Sequence, residues 1–364
     1  MKKITFSILI ILIILAATFF TINKPKQETI KIGFIGPLTG EAANLGMPVR
    51  NAFDLAIKEA NKIGKNKFEV IYEDGKCTSK EAVTAAQKLI DVDNVEILAT
   101  VCSSETLSVA PLSEKKKIIL LSLGTSPDIS KSGDYVFRNS YSDEDTSKKM
   151  ATTIFQKAKK VGVIYEITSY PVGLKDAFRK YFENMNGTVT EEGYAQNTKD
   201  VRTQLTKIIS QNPDAILVDP DTTSTGISVL IQLKELGFTG FLYGNYFGGG
   251  SDVIKTPEAE GLIFFSDPTV KESDKKSKMF EKYKESYGKY PEFEYWSSAS
   301  YDTANAIIQA MKNEGDKTED IKSYLYQNNF TGILGSYSFD KNGDMISIEP
   351  SISQIKNMTL VNIE

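Results

Sequence analysis

Hydrophobic positions along this chain repeat one rhythm twice. Ile30–Gly36 (IKIGFIG) is a short apolar run closed by Gly36-Pro37, which predicts a buried strand. Val49, Phe53, Ala56, Ile57 and Ala60 recur at three-and-four spacing and predict an amphipathic helix over Met47–Ile63. Strand-like Phe68–Tyr72 (FEVIY), helical Ser79–Ile90, strand-like Val95–Val101 (VEILATV), helical Glu105–Lys116 and strand-like Ile118–Ser122 (IILLS) follow. The pattern restarts after Tyr135–Ser140. Helices are expected at Asp143–Lys157, Leu174–Asn184, Val201–Ser210 and Ser224–Leu236. They alternate with strands at Val161–Tyr165, Val189–Tyr194, Ala215–Val218, Gly240–Tyr243 and Leu262–Phe265. Ser273–Tyr287 and Ser297–Lys312 read as helices, and a hairpin of Ser336–Phe339 with Met345–Ile348 turns at Asp340–Asp344.

Strands alternating with helices of this length mean βαβ units and parallel sheets. The expected fold class is therefore α/β, with two doubly wound parallel-sheet lobes. No Pro- or Ser-rich linker separates the two rounds, so short crossing strands are expected to join the lobes at a hinge. Ligands of open parallel sheets bind at the carboxyl ends of strands, and two such sheets facing one another make a cleft.

Ahead of the first strand, Met1–Lys3 are basic, Ile4–Ile22 is an apolar run, and Lys24-Pro25-Lys26 ends it. This is the pattern of a secretory signal. Its length also approaches the roughly 20 residues that span a bilayer, so a cleaved signal and a retained membrane anchor both fit. Either reading makes the remainder extracytoplasmic. No cysteine follows the run to carry a lipid.

Composition narrows the function. The chain has 364 residues, 43 basic and 47 acidic side chains, and no histidine. A net charge of −4 argues against a nucleic-acid footprint. Without histidine there is no Ser-His-Asp or Cys-His nucleophile pair and no His-ligated zinc. Neither an enzyme nor a metal site is expected, and no cofactor is implied. Cys77 and Cys102, the only cysteines, are an even pair in the exported portion and suggest a disulfide. Two separately buried thiols would also fit.

The loops after the strands hold the candidate chemistry. Ser103, Ser104 and Thr106 follow VEILATV at a helix start, where unpaired N–H groups and the dipole favour an anion. Leu123-Gly124-Thr125-Ser126 follows the next strand with a flexible glycine and two hydroxyls. In the second round, Glu166–Pro171 (EITSYP) presents Tyr170, Asp219-Pro220-Asp221 places carboxylates at a strand end, and Gly244-Asn245-Tyr246 adds an amide. An N-cap, a plain turn or a solvated loop accounts for each alone; together they make a polar face for an anion and another for a cation. Three lookalikes drop out. Gly248-Gly249-Gly250 lacks the lysine of a phosphate loop. The Asp340–Asp344 turn has Ser351 where a calcium loop needs glutamate. Lys271–Tyr290 reads as a solvated amphipathic helix.

These segments resemble the branched-chain amino-acid (Leu/Ile/Val) binding protein family, type I periplasmic binding proteins of ABC transporters. IKIGFIGPLTGEAANLG is similar to the family's first strand and loop, YEDGKC and VCSSET to its disulfide-bearing segments, and LSLGTSP to its second carboxylate loop. The spacing of Tyr170, Tyr301-Asp302 and the Asp340–Asp344 turn also fits, over about residues 29–350. The resemblance implies that the Ser103 hydroxyl, the Leu123 backbone and Thr125 bind a ligand carboxylate. It further implies that Tyr170 reaches in from the second lobe and that Leu45 lines the pocket where many members carry an aromatic wall. Two departures stand out: Asn245 falls where the family has an ammonium-binding glutamate, and Asp221 where it has an aromatic residue. Asp221 then supplies the charge that Asn245 cannot.

The resulting expectation is an extracytoplasmic solute-binding protein of an ABC importer, closing on a small carboxylate-bearing ligand, foremost an amino acid. Its partners would be that ligand, the permease subunits and, if residues 1–28 are retained, the membrane; no nucleic acid is expected. A membrane-anchored sensor, or a binder of an amide, urea or organic acid, would use the same fold. The expected lobes are residues 29–141 with 269–337 and residues 142–268 with 338–364, hinged near Tyr141, Pro268 and Tyr337.

Overall fold

The computed structural model describes residues 29–63, 67–196, 198–315, 317–346 and 348–363. The expected signal or anchor lies outside the described residues. Among them, no helix is long and apolar enough to cross a membrane.

The first round of elements is β1 (Thr29–Gly36), α1 (Ala43–Ile63), β2 (Lys67–Asp74), α2 (Ser79–Asp91), β3 (Ile97–Thr100), α3 (Ser103–Lys116), β4 (Ile119–Ser122) and β5 (Val136–Arg138). The second is α4 (Asp143–Phe155), β6 (Lys160–Glu166), α5 (Ser169–Asn184), β7 (Thr188–Tyr194), α6 (Arg202–Ser210), β8 (Ala215–Asp219), α7 (Thr223–Glu235), β9 (Phe241–Gly244), the short α8 (Ser251–Ile254) and β10 (Ile263–Ser266). The chain continues through α9 (Asp274–Tyr287), α10 (Glu294–Glu314), α11 (Thr318–Gln327), β11 (Phe330–Gly332), β12 (Gly335–Phe339), β13 (Met345–Ile346), β14 (Ser351–Lys356) and β15 (Thr359–Asn362).

The two rounds build two sheets with the same order. The first runs β2-β1-β3-β4-β5, and the second runs β7-β6-β8-β9-β10, extended by β14 and β15. All pairings in the first sheet are parallel. In the second, only β14 and β15 pair antiparallel. Helices cover both faces of each sheet, so the strands read as continuous apolar runs rather than alternating ones. Phe34 and Ile35, neighbours on β1, enter two different cores on opposite faces of the first sheet. Val163 and Ile164 on β6 divide in the same way.

The chain passes between the sheets three times: from Arg138 to Asp143, from Ser266 to Asp274, and from Ile346 to Ser351. Residues after the second passage rejoin the first core, where Met279, Trp296, Ile307 and Tyr337 pack with Phe34 and Phe53. The third passage comes later than the expected position near Tyr337. Phe339 and Met345 still pack in the first core, because the β12–β13 hairpin keeps its apolar side against Phe330 and Phe137.

That hairpin also explains the calcium-loop lookalike. Asp340 accepts from the backbone N–H groups of Asn342 and Asp344 at 2.8 and 2.9 Å, closing a turn on itself. Asp344 pairs with the buried Arg138 guanidinium at 2.6 Å. Arg138 in turn donates to the Thr125 and Ser126 carbonyls at 3.2 and 2.9 Å. The turn thus buttresses one of the candidate site loops.

Several elements extend the sequence reading. α3 begins at Ser103 rather than Glu105, and α5 at Ser169 rather than Leu174. Both shifts place candidate residues in a helix's first turn. α11, β14 and β15 have no counterpart in the reading, since only Ile321 and Leu325 are buried on α11 and all of β15 is exposed.

Candidate functional site

In both sheets the strand order reverses beside the first strand, between β1 and β3 and between β6 and β8. Those are the switch points where a crevice opens at the carboxyl ends. The loops there face each other across one pocket. Its walls include Leu45, Cys102, Ser103, Leu123, Gly124, Thr125, Phe293 and Trp296 from the first sheet's side. From the second come Tyr170, Asp221, Thr222, Thr223 and Tyr246.

On the first wall, the Ser103 hydroxyl oxygen accepts the backbone N–H groups of Thr125 and Ser126, both at 3.1 Å. A hydroxyl has a single proton to give. With its oxygen engaged by two N–H donors, the Ser103 hydroxyl can still donate its one proton. The site is rigid behind this face. Thr106 shares hydrogen bonds with Thr100 at 2.8 Å and Ser122 at 2.6 Å, and the Ser122 hydroxyl accepts the Gly124 N–H at 2.9 Å. A Cβ on Gly124 would sit 2.9 Å from the Ser103 Cα, so only glycine lets the two loops approach this closely.

A disulfide joins Cys77 to Cys102, with Cα atoms 5.3 Å apart. Glu105, fully buried beneath it, accepts from the N–H groups of Cys77 (3.1 Å), Cys102 (2.9 Å) and Val101 (3.3 Å). Burial pushes its carboxyl up to about 8 against those donors. The sulfurs are bonded to each other and the carboxylate is occupied by N–H groups, so this cluster is a fastening and not a metal site. Glu105→Ala would strand three buried donors. It is expected to lower stability by about 3 kcal/mol, read as a lower midpoint in a urea titration.

On the second wall, Tyr170 packs edge-on against Tyr246 with centroids 5.4 Å apart, and the Tyr246 hydroxyl donates to the Asp221 carbonyl at 2.8 Å. The Asp221 N–H is held by Glu166 at 3.0 Å. Burial, reinforced by the neighbouring Glu166 charge, pushes the Asp221 carboxyl up to about 7. Asn245 stands behind the wall and is not among the lining residues. Its amide donates to Asp219 at 2.6 Å and to the Pro220 carbonyl at 2.8 Å, and its oxygen accepts the Phe247 N–H at 3.0 Å. With both ends of the amide engaged, Asn245 fixes the Asp219–Asp221 loop.

The surroundings are strongly acidic. Burial pushes Asp143 and Asp267 up to about 7 and Asp219 well above the usual carboxylate range. Among the described residues, no lysine or arginine lines the pocket. Of the acidic groups Asp143, Asp219, Asp221 and Asp267, only Asp221 is among the residues that line the pocket.

The lobes already touch at the rim. Ser224 donates to Glu41 at 2.8 Å, the Ser169 N–H to the Ser104 hydroxyl at 3.4 Å, and the Asn44 amide to Thr223 at 3.5 Å. Sequence reasoning missed Thr222, Thr223, Phe293 and Trp296 as pocket walls. Trp296, the single tryptophan of the chain, was the one available signal.

Two doubly wound lobes that enclose one pocket, with Ser103 and Thr125 on one side and Asp221 on the other, have the architecture of a solute-binding clamp. The profile of the periplasmic binding protein family matches residues 29–356, and the chain belongs to that family. It is similar to the Leu/Ile/Val-binding protein of Escherichia coli, with 22% identity over 339 residues covering 90% of this chain and 91% of that one. A leucine-, isoleucine-, valine-, threonine- and alanine-binding protein of Pseudomonas aeruginosa is 25% identical, covering 91% of both. A leucine binding protein from Thermotoga maritima superposes with a TM-score of 0.82 at 27% identity, covering 92% of this chain and 98% of that structure. The fold is the type I periplasmic-binding-protein fold that the sequence resemblance implied.

Proposed function

We propose that this protein is an extracytoplasmic solute-binding protein of an ABC importer, and that its two lobes close on a free amino acid. The observation that carries this reading is that Ser103 and Thr125 from one lobe and Asp221 from the other line one pocket. The ligand carboxylate meets the Ser103 proton and the first turn of α3, where the dipole favours an anion. The ammonium meets Asp221. Each charge leaves water only because a partner awaits it. Leu123 and Tyr170 complete the contact set and Leu45 shapes its apolar end, while Asn245 acts by positioning Asp221. The proposed lobes are residues 29–141 with 269–346 and residues 142–268 with 351–363. Ligand that contacts both lobes favours the closed arrangement by its differential affinity.

The test is the pH dependence of binding. Asp221 is charged above about 7 and neutral below. An ammonium favours the charged form, so amino-acid affinity is expected to fall as pH drops below about 7, by up to tenfold per unit. Isothermal titration at pH 8 and pH 5.5 measures it. A ligand lacking the ammonium would show the opposite trend, and affinity rising on acidification would sink the reading.

A further inference from the structure

Resting on the amino-acid reading, we propose that Glu166 is a positioning residue for the ammonium contact. It holds the Asp221 loop in place from inside the second lobe.

Glu166 is the last residue of β6 and is fully buried. β6 runs parallel to β8 with Tyr165 opposite Asp219, which brings Glu166 level with the loop that follows β8. Its Oε2 accepts the Asp221 N–H at 3.0 Å and the Thr225 hydroxyl at 2.9 Å. Thr225 lies in the first turn of α7, and its own N–H donates to the N-cap Thr222 at 3.3 Å. One carboxylate therefore ties together the end of β6, the loop after β8 and the start of α7. Bonds to an ionised acceptor are the stronger kind. The Asp221 carbonyl is engaged from elsewhere, by the Tyr246 hydroxyl at 2.8 Å. Both polar atoms of the Asp221 backbone are thus held, while its residue lines the pocket and Glu166 does not. Glu166 acts through Asp221.

The same carboxylate acts on Asp221 through its charge, because like charges disfavour each other's ionised form. Burial first and the Glu166 charge second push the Asp221 carboxyl up to about 7. The other titratable groups around this pair are Asp219 of β8, Tyr194 of β7 and Tyr246 after β9. Burial, reinforced by the carboxylates, pushes both tyrosines above their ordinary range, so they stay neutral near pH 7. The Lys175 charge acts on Asp219. Without the Glu166 charge, Asp221 ionises at lower pH, and the ammonium keeps its partner further into the acid range.

The experiment is titration calorimetry of the purified full-length protein, Glu166→Gln and Glu166→Ala between pH 8 and pH 5.5. The probe is the tightest-binding of the twenty protein amino acids. Glutamine keeps the size and the acceptor oxygen but drops the charge; alanine drops both. At pH 8, Glu166→Ala should bind about tenfold more weakly or worse, and Glu166→Gln should stay close to the parent. On acidification to pH 5.5 the parent should lose up to about 30-fold in affinity. Glu166→Gln should begin its decline at lower pH and lose less. A glutamate with a merely structural role would leave that onset where it is. If Glu166→Ala does not fold, the onset in Glu166→Gln decides alone. An unmoved onset, or Glu166→Ala binding as tightly as the parent, would overturn the proposal and leave the amino-acid reading standing. A parent that lost no affinity on acidification would overturn both.

Discussion

Asp221→Asn is expected to weaken amino-acid binding by at least about 100-fold, as calorimetry with the best-binding amino acid would show. Removing one member of a buried charge pair typically costs about 3–5 kcal/mol, and each 1.4 kcal/mol is tenfold in affinity. The asparagine has the shape of the aspartate but leaves the ligand ammonium buried without a counter-charge. Burial and the Glu166 charge already disfavour ionised Asp221, so the unliganded variant should melt no earlier than the parent. Loss of affinity without loss of stability separates an ammonium partner from a structural carboxylate. The same variant should also lose the decline of affinity below pH 7. Unchanged affinity would remove Asp221 from the ligand's contacts.

Removing the disulfide should have the largest effect on stability. The bridge closes a sequence separation of 25 residues, for which loop entropy gives about 3.5 kcal/mol. Cys77→Ala with Cys102→Ala should lower the unfolding free energy by that amount in urea. It should also weaken ligand binding, because Cys102 directly precedes Ser103 and donates its N–H to Glu105 at 2.9 Å. The second effect distinguishes a fastening of the carboxylate loop from a general staple. A destabilised protein with full ligand affinity would show that Glu105 and the Thr100–Thr106–Ser122 hydroxyl chain hold Ser103 without it.

The parts of this molecule that were legible in its sequence are those fixed by local pattern. β3 and β4 are uninterrupted apolar runs because both faces of their sheet are covered, and a run of that kind has few other readings. That Ser103, Thr125, Tyr170 and Asp221 would lie on one pocket was legible because strand carboxyl ends converge in an open parallel sheet. What stayed hidden depends on the return of the chain. Phe293 and Trp296 sit at the start of a helix that leaves the second sheet and packs back against the first, so no spacing links them to Ser103 or Asp221. Asn245 was placed at the right strand end, but only its partners reveal that its amide is spent on Asp219, Pro220 and Phe247. The third crossing was misplaced because Tyr337, Phe339 and Met345 alternate as any half-buried hairpin does. Which core they enter is a tertiary fact.

A pocket that meets both ends of a zwitterion is tested by calorimetric titration of the protein with its best-binding amino acid, the amide of that amino acid and the corresponding deaminated acid. The parent amino acid is expected to bind strongly and both analogues at least about 100-fold more weakly, the amide failing at Ser103 and Thr125 and the deaminated acid at Asp221. A deaminated acid that bound as tightly as the amino acid would contradict this.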